Sequence, residues 1–512
     1  MPSKMYIDAR KLPQDSDLTA DLAIIGAGPA GITLARSMIG RATRVCLVEA
    51  GGIALDGPTQ ALYEGKNVGI EYPLSGSRLR YFGGSSNHWG GYCRTLQPID
   101  LEQRDWLPDS GWPFRFDELQ RYYEAASVIV EVSPAHFSDR VYWQERTGEG
   151  LGEMPSGRMD LAFIQFSPPT SFGRRYGDEL KAAANIDVLL NANVANVGAT
   201  QDGQSVQHLD IATLNGLHHR IKAKTFVLAT GGLENPRLLL LSNDVVPAGL
   251  GNQHDLVGRY FMEHPHLADL GAVVVPNIDR LPKMYWLPQR VDGRSARATF
   301  VPSDTLLRQK NLLNIQFTLG YRYGYRQGEA AGNPDIGTKH LDMLAASSQF
   351  TGGRNPSNGD WLGAWLALGC ACEQAPNPDS RVMLADERDV LGLRKISLEW
   401  RLTETDRYSL VRHLENMAME IGALGIGRMR IDLDDPKYWP PVVRGGSHHM
   451  GTTRMHDDPT RGVVDRNCKV HGIDNLYVTG GSIFPTSGAA NPTLTIVALT
   501  LRLADHLKSR GI

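Results

Sequence analysis

Cysteine is scarce, five among 512 residues. Cys46, Cys93 and Cys468 stand apart, Cys370 and Cys372 form C-x-C, and there is no C-x-x-C pair. This spacing excludes a disulfide framework and argues against a zinc or iron–sulfur site, so free thiols and no metal are expected. An excess of one charge is also missing. Lys+Arg number 53 and Asp+Glu 56, a formal net charge of −3, so neither nucleic acid nor an anionic membrane is an expected partner. No window reaches ~18 uninterrupted apolar residues, so no membrane span is expected. The opening residues, MPSKMYIDARKLPQDSD, hold no apolar signal-peptide core. With reduced thiols, the expected location is the cytoplasm. Repeats, heptads and low-complexity tracts are absent. What remains is the balance of a folded globular chain, 42% apolar and 21% charged, long enough to bury a large core without staples.

The strongest pattern lies near the start. Residues 21–25, DLAII, form an apolar run of strand type and lead into Gly26-Ala-Gly28-Pro-Ala-Gly31. ITLARSMIG follows with helical spacing, then VCLVEAGG, a second buried strand ending at Glu49. Gly26 permits the tight turn, Gly28 lets the backbone approach a pyrophosphate, and Gly31 lets helix pack on sheet. Helix N-terminal N–H groups then face phosphates. Glu49, 18 residues after Gly31, is placed for a ribose hydroxyl. The order predicts a Rossmann-type dinucleotide site. A second glycine-rich stretch, Gly83-Gly-Ser-Ser-Asn-His-Trp-Gly-Gly91, and the lack of a second GxGxxG favour FAD over a nicotinamide.

Residues 188–229 alternate apolar and polar side chains around Asp202-Gly203 and Asn215-Gly216, two hairpin-type turns. TFVLATGGLENPRLLLLS (225–242) then reads as buried strand, Gly231-Gly232 turn and apolar helix. Near the end stand Ser447-His448-His449-Met450-Gly451-Thr452 and VVDRNCKVHGIDNLYVTGGSIFPTSGAANPTLTIVALTLRLADHL. The apolar stretch Leu494–Leu501 predicts a buried helix whose solvated end begins at Arg502 and Asp505.

These four ordered blocks resemble the glucose–methanol–choline (GMC) oxidoreductase family. They look most like its bacterial pyranose oxidase and glycoside 3-dehydrogenase branch. His88-Trp89 and Ala490-Asn491-Pro492-Thr493-Leu494-Thr495 carry the branch likeness, since many other members have a second His in place of Asn491. LVGRYFMEHP (256–265) resembles a link between the branch's domains. Residues 266–440 carry little recognisable motif. The resemblance implies an α/β fold: a Rossmann-type FAD-binding domain and a discontinuous substrate domain of antiparallel sheet plus helices. The first would comprise residues 1–88, 186–265 and 445–512, the second 89–185 and 266–444.

Alcohol oxidation by a flavin needs a hydroxyl proton removed and a hydride delivered to flavin N5. A neutral imidazole suits the first task. His448 precedes Gly451 as H-x-x-G-T, the family's catalytic position, which makes it the expected general base. Asn491 is the branch's partner for the alcohol oxygen. His449 is the rival base, since neighbours on an extended strand point opposite ways, and both histidines could instead be structural. Asn491 could equally cap the helix that begins at Pro492-Thr493.

The resemblance also implies flavin contacts. His88 sits where pyranose and choline oxidases join a histidine to the flavin 8α-methyl. Gly90, however, replaces the Thr that pyranose oxidases carry near N5, so covalent attachment and close non-covalent contact both stay open. Gly83, Ser85, Ser86 and Asn87 would serve the pyrophosphate or isoalloxazine, Val194 the adenine through its amide, and Gly480 with Ser482 the ribityl and phosphates. Trp106, Trp112, Trp143, Trp286, Trp361 and Trp365 are candidates to stack on sugar, or ordinary core residues. Glu373, Gln374 and Gln165 are weaker candidates for polar substrate contacts.

The expected activity is FAD-dependent oxidation of a secondary alcohol, the C2 or C3 hydroxyl of a sugar or glycoside, to the ketone. Oxygen, a quinone or a redox protein would reoxidise the flavin. The alternatives are a non-sugar alcohol as substrate, a lyase that uses the flavin as scaffold, and a non-catalytic nucleotide-binding protein.

Overall fold

The computed structural model describes residues 6–267, 271–275, 278, 281–326, 361–431 and 443–512. Strands Leu22–Ile25 and Val45–Val48 are short, apolar and buried throughout, as strands covered on both faces must be. They pair in parallel across helix Pro29–Ser37, the crossover such a pair requires. The other strands of this sheet come from far along the chain. The six run in the order Ile7–Asp8, Ile186–Leu190, Val45–Val48, Leu22–Ile25, Thr225–Leu228, Leu476–Val478. Every neighbouring pair is parallel. The glycine turns that follow Ile25, Leu228 and Val478 therefore open at one edge, where α/β sheets bind ligands.

Ser16–Thr19, His218–Lys222, Val206–Ala212 and Asn193–Ala199 form a second sheet. Its reversals lie where the sequence places them, with Gly203 and Gly216 at φ +70° and +85°. A large antiparallel sheet builds the other half of the molecule. Its main path runs Arg428–Ile431, Gly271–Val275, Trp361–Cys372, Ile315–Arg326, Arg294–Pro302, Met159–Phe166, Tyr92–Cys93. Helix Glu404–Ala423 lays Leu410, Leu414, Met417 and Ile421 into the core beneath it, one apolar stripe of a helix. A separate core gathers around the parallel sheet. The expected class, a Rossmann-type α/β unit joined to an antiparallel sheet with helices, is the fold observed.

Two local expectations need revision. Pro492, not Asn491, occupies the N-cap of helix Thr493–Ser509, and no side chain caps it. Arg502 does not begin a solvated end. It is buried, paired with Glu118 at 2.6 Å and stacked over Phe114 at 4.4 Å, because helix Phe116–Ile129 packs across it. All five cysteines are buried and free. No described helix is long and apolar enough to cross a membrane.

One pairing positions the site. Pro265 pairs with Gly445, and Met262 bridges Met450 through two backbone bonds of 2.9 Å. Between these anchors, residues 263–264 face the longer stretch 446–449. The surplus backbone loops out, with Ser447 at φ +62°, and carries His448 and His449.

Candidate active site

A cavity of about 490 Å³ runs along the shared edge of the parallel sheet. One end is walled by Gly26, Gly28, Glu49 and Val194, the middle by Ser85, Ser86, His88 and Gly480, and the far end by His448, His449 and Asn491. Segments more than 400 residues apart thus meet at one space, since Gly26 and His448 both line it.

At the first end each glycine has a separate use. Gly26 holds φ +101°. A Cβ on Gly31 would lie 1.8 Å from the Gly26 carbonyl oxygen, whereas one on Gly28 would meet nothing within 4 Å. Gly31 is therefore required by the protein's own packing, and Gly28 borders open space. Gly480 borders open space too. Glu49 accepts from the Ala27 amide at 3.0 Å and the Gly51 amide at 2.9 Å. Burial raises its carboxyl above the ordinary range against the pull of those donors. A free helix N-terminus beyond Gly28, a buried acid and unfilled space beside two glycines fit a dinucleotide such as FAD.

The middle of the cavity is assembled from the second glycine stretch. His88 lines it from an exposed position, and partial desolvation of its ring lowers its pKa. Four expected contacts sit one layer back. Gly31 packs as described. The Gly83 amide donates to the Ala27 carbonyl at 2.8 Å. The Asn87 side chain donates to the Phe82 carbonyl at 3.1 Å and accepts from Ser171. Ser482 accepts from Asn235 at 2.9 Å. These hold the shape of the turns.

At the far end His448 Nδ1 lies 2.9 Å from His264 Nδ1, and Asn491 Nδ2 lies 3.4 Å from His448 Nε2. The His448 amide donates to Glu263 at 2.7 Å, and the Gly446 and His264 amides donate to the same carboxyl at 2.9 Å. Tyr72 also donates its hydroxyl proton to Glu263. That acid takes the place of the strand carbonyls that the bulged segment has lost. Burial, and then the His264, His266 and His449 imidazoles, push the His448 pKa well below its usual value, so the ring is neutral at pH 7. His449 turns to Tyr72, its Nε2 at 2.8 Å from the hydroxyl, and stacks on Phe261.

Several sequence candidates lie elsewhere. Glu373 forms a fully buried pair with Arg104, and Gln374 accepts from the Glu263 amide and the Trp400 indole. Gln165 bonds the backbone of Ser133 and Ala135. Trp112 and Trp143 are core residues. Trp106 donates to the Leu312 carbonyl. The Trp361 and Trp365 side chains lie outside the described residues, and the tryptophan in the cavity wall is Trp89. His264, Glu263 and Gln316 escaped the sequence reading. The one signal was LVGRYFMEHP, which reads as a link and gives no hint that it would pair with residues 443–450.

The GMC oxidoreductase family model matches residues 376–500. The chain is 32% identical to a C-glycoside 3-oxidase of Arthrobacter globiformis, over 83% of this chain and 74% of that protein. It is 26% identical to a 2-methyl-1,2-propanediol dehydrogenase of Mycolicibacterium austroafricanum, over 96% and 95%. Among solved structures it resembles a pyridoxine 4-oxidase, with a TM-score of 0.57 and 19% identity over 96% of this chain and 99% of that one. With the parallel sheet, the three glycine turns and the histidine-bearing bulge in place, the chain belongs to the GMC oxidoreductase family of FAD-dependent enzymes.

Proposed function

We propose that the protein oxidises a secondary hydroxyl of a sugar or glycoside to the ketone, with His448 as general base and Asn491 as the group that holds the alcohol oxygen. Residues 1–88, 186–265 and 445–512 would hold the cofactor and 89–185 with 266–444 the substrate. Gly26, Gly28, Glu49, Ser85, Ser86, His88, Val194 and Gly480 line the part of the cavity that suits FAD. FAD held there would supply a two-electron acceptor for the hydride of the carbinol carbon. The alcohol proton goes to His448. Desolvation keeps that imidazole neutral and able to accept. The Asn491 amide donates to the oxygen as negative charge grows on it and does not itself titrate. His449 is a poorer base, because its Nε2 is already engaged by Tyr72.

The observation that carries this reading is the 3.4 Å approach of Asn491 Nδ2 to His448 Nε2 in the cavity wall. The likeness to a C-glycoside 3-oxidase supports a sugar hydroxyl as the target. The likeness to a 2-methyl-1,2-propanediol dehydrogenase, over nearly the whole of both chains, supports a second reading with a non-sugar alcohol. Anaerobic bleaching of the flavin band by D-glucose, methyl β-D-glucopyranoside or 2-methyl-1,2-propanediol separates the two. Return of colour in air identifies oxygen as an acceptor, and its absence points to a quinone or redox protein. His448→Ala is expected to slow flavin reduction about 10²–10⁴-fold. Reduction at the wild-type rate would remove the assignment. Acid precipitation reports on His88, since the yellow colour stays with the protein only if the flavin is bonded to it.

A further inference from the structure

Two hydrogen-bond chains converge on the gap between His448 and Asn491. The first starts at the Ser487 carbonyl, which can only accept. It lies 3.3 Å from His264 Nε2, so that nitrogen carries a proton. His264 is completely buried and its pKa falls to about 4, so the ring is neutral and its Nδ1 holds a lone pair. His448 Nδ1, 2.9 Å away, must then be the donor. A neutral imidazole protonated on Nδ1 has its lone pair on Nε2, the nitrogen beside Asn491.

The second chain starts at Arg94, which can only donate. Its Nε lies 3.2 Å from Gln316 Oε1, and this fixes which way the Gln316 amide points. Gln316 Nε2 then donates to Asn491 Oδ1 at 3.5 Å. Asn491 is left with its Nδ2–H toward His448 and the cavity. Arg94 is 1% exposed, and its Nη2 has no hydrogen-bond partner among the described residues. Such a buried cation is costly to keep for packing alone.

The two chains share no member before the gap, yet they demand the same proton pattern there. We propose that His264 and the Arg94–Gln316 pair are positioning residues that fix the tautomer of His448 and the amide orientation of Asn491. The far end of the cavity is thereby set to receive a hydroxyl whose proton points at His448 Nε2 and whose oxygen accepts from Asn491. The inference rests on the reading of His448 as the base. Its specific content is that His264 from the 256–265 segment, Gln316 from strand Ile315–Arg326 and Arg94, just after strand Tyr92–Cys93, decide which nitrogen acts.

The holoenzyme labelled with ¹⁵N-histidine tests this without any substrate. Wild-type His448, assigned through His448→Gln, is expected to show a protonated Nδ1 and an unprotonated Nε2. His264→Leu removes the acceptor and is expected to move the proton to Nε2. His264→Asn keeps an acceptor near the Nδ1 position and is expected to retain the wild-type tautomer. In anaerobic stopped flow, with whichever of D-glucose, methyl β-D-glucopyranoside and 2-methyl-1,2-propanediol reduces wild type fastest, His264→Leu is expected to slow flavin reduction on the order of 10²-fold, and His264→Asn far less. Gln316→Glu, nearly isosteric, can only accept from Asn491. It turns that amide around and is expected to slow reduction similarly. A wild-type His448 protonated on Nε2 would overturn the proposal, as would Gln316→Glu reducing at the wild-type rate. These two measurements decide the matter where His264→Leu fails to fold. A slow His448→Ala beside normal His264→Leu and Gln316→Glu rejects the relay alone. A normal His448→Ala rejects the base itself.

Discussion

Glu263 is the residue on which the candidate base depends for its place. Four donors converge on its buried carboxyl: the His264, Gly446 and His448 amides and the Tyr72 hydroxyl. Burial outweighs them and raises its pKa from the ordinary 4.5 to about 7. A carboxyl whose pKa is higher folded than unfolded adds stability that is complete below pH 4.5 and is lost as pH rises through about 7. Glu263→Gln has no such titration, and its amide must turn a donor toward donors. The variant is expected to be less stable by about 1–3 kcal/mol at pH 5, the cost of unpaired buried groups. The gap to wild type should narrow between about pH 4.5 and 7, which urea unfolding across that range would measure. A constant gap would show that Glu263 does not titrate there. None of this was legible in E-H-P alone, because the Gly446 and His448 donors belong to a segment about 180 residues further on and Tyr72 lies 191 residues earlier.

At the scale of single elements, the turn from Leu22–Ile25 into Pro29–Ser37 was read almost completely from its residues. Spacing alone implied three distinct uses for three glycines, and the atoms separate them. Gly28 has an ordinary φ of −84° and open space where a side chain would go. Gly28→Ala is therefore expected to unfold like wild type yet retain little FAD after gel filtration. Gly31→Ala would drive a methyl into the Gly26 carbonyl. It is expected to lose about 3 kcal/mol, the upper part of the range for overpacking, whether or not FAD is present. Equal stability of the two variants without flavin would contradict this division. Helix Thr493–Ser509 was legible in length but not in surroundings. A charged Arg502 reads as a solvent-facing break, and only its packing against Phe116–Ile129 supplies Glu118 to bury it.

For the molecule as a whole, one ion pair ties the segment after the second glycine stretch to the antiparallel sheet. Arg104 and Glu373 are wholly buried, and the guanidinium grips both carboxylate oxygens, one at 2.8 Å. Burial opposes ionisation of Glu373, but Arg104 more than reverses it and the pKa falls. Asn314 adds its amide at 2.7 Å. Removing one partner strands a buried charge, so Arg104→Met is expected to cost about 3–5 kcal/mol. Arg104→Met combined with Glu373→Leu should recover much of that loss. Chemical denaturation of the singles and the double completes the cycle, and additive losses would rule out direct pairing. From the sequence Glu373 reads as a substrate contact or a turn residue. Its partner lies 269 positions earlier, and no local pattern announces a salt bridge.

The sequence by itself determined the Rossmann-type unit, its FAD-type glycine turn and acid, the two reversals at Gly203 and Gly216, and membership of the family. The turn, the acid and the reversals are written in periodicity, turn chemistry or spacing within a few tens of residues, where backbone sterics and helix geometry act, and the family shows in the resemblance of four ordered blocks spread along the chain. Only the tertiary structure decided that His264 stands beside His448, that Gln316 and Arg94 stand behind Asn491, and that Glu373 and Gln165 are sealed inside. Those relations depend on which strands of a long-range sheet become neighbours and on how a bulge is filled, and a buried proton's position follows from partners that meet only once the chain is folded.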